Sequence, residues 1–149
     1  MIDLPKNVRA ALSVIRAGDV LLTEIEKVLR PYRITLPQYS TLRHLEVAPK
    51  EGMTCGQLIE EMMARAPDLT RLLDRLEERA LISRSRSLRD RRAVLARITP
   101  AGRKLLAEVH PVAEAGRSSL LKWMKPEKAE LLLKTMEEIE KRHGHRDAP

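Results

Sequence analysis

The stretch that decides the fold is residues 68–98, D-L-T-R-L-L-D-R-L-E-E-R-A-L-I-S-R-S-R-S-L-R-D-R-R-A-V-L-A-R-I. Its first third repeats apolar residues with the 3.6-residue period of a helix. The apolar stripe consists of Leu69, Leu72, Leu73 and Leu76. The pattern predicts an amphipathic helix that begins at Ala66-Pro67, with proline at its first position, and ends near Arg79.

The rest of the stretch changes to a period of two. This alternation predicts two short strands, at residues 81–87 and 93–98, joined by the tip S-L-R-D-R-R. Five arginines lie between Arg84 and Arg92, with Asp90 among them. Their mutual repulsion is tolerable on a solvent-exposed tip and becomes favourable when phosphates replace counterions. We expect the Asp90 carboxylate to hold a neighbouring guanidinium at a fixed angle.

A short helix precedes this unit. The segment T-C-G-Q at residues 54–57 matches a capping box, and the apolar face that follows holds Leu58, Ile59 and Met62. Short helix, turn, helix and basic hairpin, in that order, predict a winged helix-turn-helix. In such a fold the second helix enters the major groove of duplex DNA, and the hairpin tip reaches phosphates or the adjacent minor groove.

Longer helices flank this unit. One is predicted over residues 4–30, capped by Asp3, and another from near Leu36 to before Pro49. A third runs from Thr99-Pro100 to about Met124, with a kink at Pro111, and a last helix opens at Pro126. The apolar stripes of the terminal helices lack a partner within so small a chain, which predicts a homodimer.

The predicted fold class is mainly α (α+β), a winged helix-turn-helix with a two-stranded wing and dimerisation helices at both ends. We assign residues 36–107 to the DNA-binding domain. Residues 1–35 and 108–149 form the helical dimerisation region.

Charge and composition favour a nucleic-acid partner. The 149 residues carry a net charge of +7, and all nine basic residues of the segment 65–92 are arginines, whose planar fork suits phosphates and guanine edges.

The single cysteine, Cys55, excludes an intramolecular disulfide framework. With neither a transmembrane segment nor a signal peptide's apolar stretch, we expect a cytoplasmic protein without a membrane partner.

The same stretch, continued through T-P-A-G-R-K-L-L, resembles the MarR family of bacterial transcriptional regulators. The family's paired residues appear as Leu69-Thr70 and Leu76-Glu77, its D-x-R as Asp90 and Arg92, and its next helix opens with Ile98-Thr99 and Gly102. The match is strongest over residues 53–106. At Ala80 the family usually has Gly, so we expect a slightly different turn into the first strand.

The resemblance implies several properties that the motifs do not show. Family members are homodimers whose N- and C-terminal helices interlock. They bind palindromic operators, usually as repressors. Many release DNA when a small anionic or phenolic ligand enters a cleft between the two lobes, and others release it when a cysteine is oxidised.

The predicted DNA contacts fall on the second helix and the wing. Arg71 and Arg75 lie on the outer helix face, and Asp68 and Thr70 lie near its N-terminus, where base contacts usually occur. Arg84 and Arg86 share one strand face and are expected to meet phosphate, and the resemblance implies that Arg92 enters the minor groove. The full set is Arg65, Asp68, Thr70, Arg71, Arg75, Arg84, Arg86, Arg89, Asp90, Arg91 and Arg92.

Candidate residues for an effector site also occur outside the predicted DNA contacts. Arg16, Tyr39 and His44 are candidates for an effector cleft, as is Trp123. No motif for catalysis, a metal or a cofactor occurs, so we expect none of these. An alternative function stays open, in which the winged helix is a protein-interaction module whose arginines face an acidic partner.

Overall fold

The computed structural model of the chain describes residues 4–62, 69–87, 90 and 92–143. Within these residues it contains six α-helices, a single 3-10 turn and three short strands. The helices are α1 Lys6–Leu29, α2 Leu36–Val47, α3 Cys55–Glu61, α4 Leu69–Glu78, α5 Pro100–Leu120 and α6 Pro126–His143. The strands are β1 Met53–Thr54, β2 Ile82–Arg86 and β3 Val94–Ile98, and the 3-10 turn Arg30–Tyr32 joins α1 to α2.

The predicted winged helix-turn-helix is confirmed, with one added strand. β2 and β3 pair antiparallel with Ile82 opposite Ile98 and Arg86 opposite Val94. β1 was not predicted; it pairs with the other edge of β3, where Met53 lies opposite Ala96. The sheet order is therefore β1-β3-β2, and the wing is the outer hairpin of a three-stranded sheet.

One core joins the helices to the inner face of this sheet. α2 contributes Tyr39, Leu42 and Leu45, and α4 contributes Leu73 and Leu76. The sheet adds Ile82, Ala96 and Ile98, and α5 adds Leu106 and Val109.

The first helix of the pair, α3, differs from prediction, because Leu58 and Met62 are buried while Ile59 is 61% exposed. Ile59 therefore lies outside the apolar face assigned to it.

The flanking helices follow the prediction with small shifts at their ends. Pro5 precedes α1 at the capping position and makes no side-chain hydrogen bond there, while the predicted cap Asp3 lies outside the described residues. α5 continues through Pro111 and ends at Leu120, earlier than the expected Met124. A turn then leads into α6, which Pro126 opens as predicted.

The two terminal helices differ in how they pack within one chain. α1 contacts α5, and its last residue, Leu29, is completely buried. α6 has no buried residue anywhere along its described length. None of the helices described is both long and apolar enough to cross a membrane.

Candidate nucleic-acid interface

The helix pair α3 and α4 is held by local capping and by its apolar faces. Thr54 and Gln57 form the predicted capping box: the Gln57 N–H donates to Thr54 Oγ1 at 3.2 Å, and the Thr54 N–H donates to Gln57 Oε1 at 2.9 Å. These bonds satisfy amides that the helix itself leaves unpaired. α3 thus starts at a defined point beside β1.

The outer face of α4 presents the predicted contact residues. Leu69, Leu73 and Leu76 are buried, so the opposite side of the helix faces solvent. Thr70, Arg71 and Arg75 are all exposed there. The structure therefore leaves these three side chains accessible to a partner.

A left-handed residue ends α4 and turns the chain into the wing. Ala80 has φ of 56°, and its N–H donates to the Glu77 carbonyl at 2.7 Å. The Leu81 N–H donates to the Leu76 carbonyl at 2.9 Å, so the two bonds complete a Schellman motif. Although glycine usually occupies this conformation, the helix ends in an ordinary left-handed cap with alanine.

Arg84 occupies a different environment from the one predicted. Its guanidinium is turned to α4, where Nε donates to Glu77 Oε2 at 2.8 Å and Nη2 donates to Asp74 Oδ1 at 2.5 Å. The backbone N–H of Arg84 also donates to Glu77 Oε1 at 3.0 Å. Arg84 and Arg86 do share a strand face, as expected, because they lie opposite Ala96 and Val94. That face is continuous with the buried side of the sheet, which brings Arg84 onto the helix.

These contacts change the titration of both partners. The hydrogen bond from Arg84 lowers the pKa of Glu77, and the bond to Glu77 raises the pKa of Arg84. The ion pairs are half-buried: the Arg84 side chain is 25% exposed, and the side chains of Asp74 and Glu77 are more exposed than that. The arrangement stabilises both charged forms and joins the wing to α4.

Asp90 shapes the wing tip through hydrogen bonds that involve backbone N–H groups. Its Oδ1 accepts the backbone N–H of Arg92 at 2.9 Å, and its own N–H donates to Ser87 Oγ at 3.3 Å. In the described part of the tip, the Asp90 carboxylate and the Arg92 guanidinium form no ion pair. At Arg92 the carboxylate therefore forms an Asx-type turn. The other neighbouring arginines, Arg89 and Arg91, lie outside the described residues, so the predicted contact to a guanidinium stays a prediction for them.

Two predicted wing arginines are placed where a partner can reach them. Arg86 and Arg92 are both exposed, at the outer end of β2 and at the tip. Four further predicted contact residues, Arg65, Asp68, Arg89 and Arg91, lie outside the described residues.

Three residues outside the predicted contact set also shape this surface. Asp74 and Glu77 hold Arg84, and their spacing of three on a helix is a signal that they share a face. Arg97 lies on the other face of β3, where Nη1 donates to Ser85 Oγ at 2.7 Å and Nε to the Lys50 carbonyl at 3.1 Å. Through these two hydrogen bonds Arg97 connects the wing to the turn that precedes β1.

The effector candidates are not brought together. Tyr39 is buried against α5, where its hydroxyl lies 2.7 Å from His110 Nδ1. The Arg117 guanidinium lies 5.2 Å from the Tyr39 ring centroid, in cation–π geometry. Arg16 is exposed on α1 and His44 is half-buried on α2, while Trp123 is 75% exposed. Of the four predicted residues, Tyr39 alone contacts the polar side chains between α2 and α5 that the structure describes.

Comparison with known proteins identifies the architecture. The model of the MarR family matches residues 34–94. A MarR transcription factor from Planctomyces limnophilus is 31% identical, with a TM-score of 0.69 over 92% of this chain and 98% of its own. AbsC, a MarR family transcriptional regulator from Streptomyces coelicolor, has a TM-score of 0.82 at 23% identity, covering 95% of this chain and 97% of its own.

A third similar structure concerns the control of DNA binding. It is that of BpsR from Bordetella bronchiseptica, described with a mechanism for regulation of its DNA binding by 6-hydroxynicotinic acid. Its TM-score is 0.80 at 20% identity, over 93% of this chain and 97% of its own. At this identity the similarity demonstrates the shared fold.

Proposed function

The chain belongs to the MarR family of transcriptional regulators, and on that premise we propose that it binds duplex DNA as a homodimer on a palindromic operator. One observation carries the proposal: an exposed arginine-bearing helix face and an exposed arginine-bearing wing belong to the same folded unit. The arginine side chains on the exposed face of α4 are long enough to reach base edges in the major groove. The wing supplies charge for phosphates or the minor groove.

The proposed contact set follows the exposed residues. Thr70, Arg71 and Arg75 on α4 contact base edges and nearby phosphates, and Arg86 and Arg92 contact the backbone and minor groove. Arg65, Asp68, Arg89, Asp90 and Arg91 remain in the proposed interface on sequence grounds. Arg84 leaves the set of direct contacts, because its guanidinium is already engaged by two carboxylates.

The dimer is supported by apolar surface on both terminal helices. α1 exposes Leu12 at 42%, Ile15 at 61% and Leu22 at 48%, and α6 exposes Leu131 at 67% and Ile139 at 41%. A single chain that leaves so much aliphatic surface in water gains stability when a second copy covers it. We therefore propose residues 1–35 and 108–149 as the dimerisation region and 36–107 as the DNA-binding domain.

We also propose that a small anionic or phenolic effector makes the protein release DNA, as a repressor does on induction. The support is the cluster where α2 meets α5, in which Tyr39 contacts both His110 and Arg117. The Arg117 guanidinium also pairs with Glu114 at 3.2 Å, so an anionic effector would compete with that carboxylate. Cys55, although exposed, stands alone at the start of α3. Comparing wild type with Cys55→Ser separates the two routes: an aromatic acid should release DNA from both proteins, and peroxide from neither.

The experiment that tests DNA binding measures affinity for fluorescent duplexes of different sequence over a range of salt. We expect the protein to be retained on heparin and to prefer some duplex sequences over others. The logarithm of its affinity for duplex DNA should fall linearly with the logarithm of the salt concentration. The alternative protein-interaction module shares the first property, because heparin is acidic, but has no base preference. Equal affinity for all duplexes, together with tight binding of an acidic protein, would establish the alternative.

A further inference from the structure

Two carboxylates lie on the helix that is proposed to enter DNA. Asp74 and Glu77 occupy α4 among its arginines, and each carries negative charge close to where phosphates are expected. Considered only as charges, both residues oppose binding. Their geometry gives them another role.

Glu77 engages β2 through both of its oxygens. One accepts the backbone N–H of Arg84 and the other accepts Nε of the same residue, at 3.0 and 2.8 Å. Asp74, one helical turn earlier, accepts Nη2. Backbone and side chain of a single wing residue are therefore attached to two points on α4, which restricts both the tilt and the twist of the strand.

The position of Arg84 makes this attachment relevant to the wing tip. The base of the sheet is already held by buried Ile82 and Ile98, whereas Arg84 lies further out, opposite Ala96. Arg86 is the next residue on the same face. The direction in which Arg86 and the tip project therefore depends on how Arg84 is held.

We propose that Asp74 and Glu77 are positioning residues for DNA binding, which set the wing at the correct distance and angle from α4 by holding Arg84. The inference rests on the proposed function. A rigid duplex presents its grooves at fixed spacing, so two contact elements bind it together only if their relative placement is set beforehand. A half-exposed ion pair contributes little to the stability of the fold, so the main effect of the contact is on affinity.

The test compares Glu77→Ala with Glu78→Ala on one duplex, by fluorescence anisotropy at several salt concentrations. Glu78 is an adjacent exposed carboxylate on the same helix, so the two variants remove the same charge. We expect Glu78→Ala to bind as tightly as wild type or more tightly, since repulsion falls. Glu77→Ala should bind roughly tenfold more weakly, because the wing is no longer preorganised, and its affinity should depend less on salt.

A double-mutant cycle separates positioning from general destabilisation. Arg92 does not contact Glu77, yet Arg92→Ala should cost less affinity in the Glu77→Ala background than in wild type, because the misplaced wing has already lost its contacts. Glu77→Gln, which keeps the volume and one acceptor, should give an intermediate loss. It also serves in place of the alanine variant if that variant does not fold, as judged by thermal unfolding.

The outcomes are distinct. Affinity of Glu77→Ala equal to or above that of wild type, or losses that add without coupling to Arg92→Ala, would overturn the inference and leave the proposed function standing. A wild-type protein that binds no duplex at all would overturn both.

Discussion

Ala80 carries a left-handed backbone at the point where α4 becomes the wing. A side chain at φ of 56° brings Cβ close to the following carbonyl, which costs roughly 1–2 kcal/mol. Both hydrogen bonds of the Schellman motif are nevertheless made, so the unfavourable backbone energy of Ala80 does not distort the turn. The expected difference at this turn is therefore one of energy rather than of geometry.

Ala80→Gly should stabilise the protein. Glycine adopts the left-handed region freely but loses more entropy on folding, so the net gain is about 0.5–1 kcal/mol. Urea unfolding measures it, with DNA affinity as the check that the wing is unmoved. A less stable glycine variant would mean that residue 80 is not left-handed in solution.

Arg71 and Arg92 should leave different marks on binding. Arg71 lies on the outer face of α4, and a bidentate arginine–base pair discriminates by ~1–3 kcal/mol. Arg71→Ala should therefore relax preference at one or two positions of each half-site. Arg92, whose backbone is held by Asp90, lies at the wing tip. Arg92→Ala should weaken binding to most sequences and lower the salt slope by about one unit per arginine in each monomer.

Salt titrations on the preferred duplex and on base-substituted duplexes measure both effects. Thr70 and Arg75 are unchanged in both variants, so the other exposed α4 contacts are the same in each titration. An unchanged affinity and salt slope for Arg92→Ala would show that the wing does not contact DNA.

At the scale of elements, α5 is placed by a close approach at its first turn. Thr99 Oγ1 accepts the Gly102 N–H at 3.0 Å and donates to the Ala80 carbonyl at 2.7 Å, which joins the start of α5 to the end of α4. A Cβ at Gly102 would overlap the Leu81 carbonyl oxygen and lie 2.8 Å from Ile98 Cγ1. Glycine is required there because α5 packs directly against the backbone of Leu81, which connects α4 to β2.

Gly102→Ala should therefore destabilise the protein by about 1–3 kcal/mol, the usual cost of overpacking a core. Gly56→Ala is the matched control, because its Cβ would meet only Thr54 Oγ1 at an ordinary 3.8 Å. Alanine also favours the helix there, so thermal unfolding should show a neutral or slightly higher midpoint. Equal loss in both variants would mean that α5 does not lie against Leu81.

Local signals predicted most of these elements, and the strand they missed depends on a distant partner. The stripe of α4, the box at Thr54 and Gln57, and the change to period two all depend on residues near one another in sequence. β1 exists only because Met53 and Thr54 pair with β3, some forty residues later, and two residues carry no strand pattern. Periodicity therefore identifies elements but not their distant partners.

The same limit applies to the candidate site. Alternation placed Arg84 and Arg86 on one face, but only the packing of α4 against β2 brings Glu77 to Arg84. Asp90 was selected for its charge, and its observed role at Arg92 is a backbone hydrogen bond. The exposure of Thr70, Arg71 and Arg75 followed from the stripe of α4, whereas the partners of Arg84 and Asp90 required the fold.

At the scale of the whole molecule, the exposed aliphatic faces of α1 and α6 predict a dimer. Light scattering should give twice the chain mass of 17.0 kDa. Ile139→Glu should shift the protein toward monomer and weaken DNA binding, since a charge in an apolar interface is costly. Lys134→Glu, at an exposed position of α6 where Lys134 pairs with Glu130, should leave the dimer intact. A stable wild-type monomer with full DNA affinity would contradict the dimer.

The central claim is that two copies of this winged helix bind one duplex through α4 and the wing. Selection of bound duplexes from a random library tests it most directly. Two recognition helices related by a two-fold axis meet successive major grooves on one side of the DNA. The enriched sequences should therefore contain two inverted half-sites with centres ~10 bp apart. Enrichment of a single unpaired half-site, or of no sequence at all, would contradict the account.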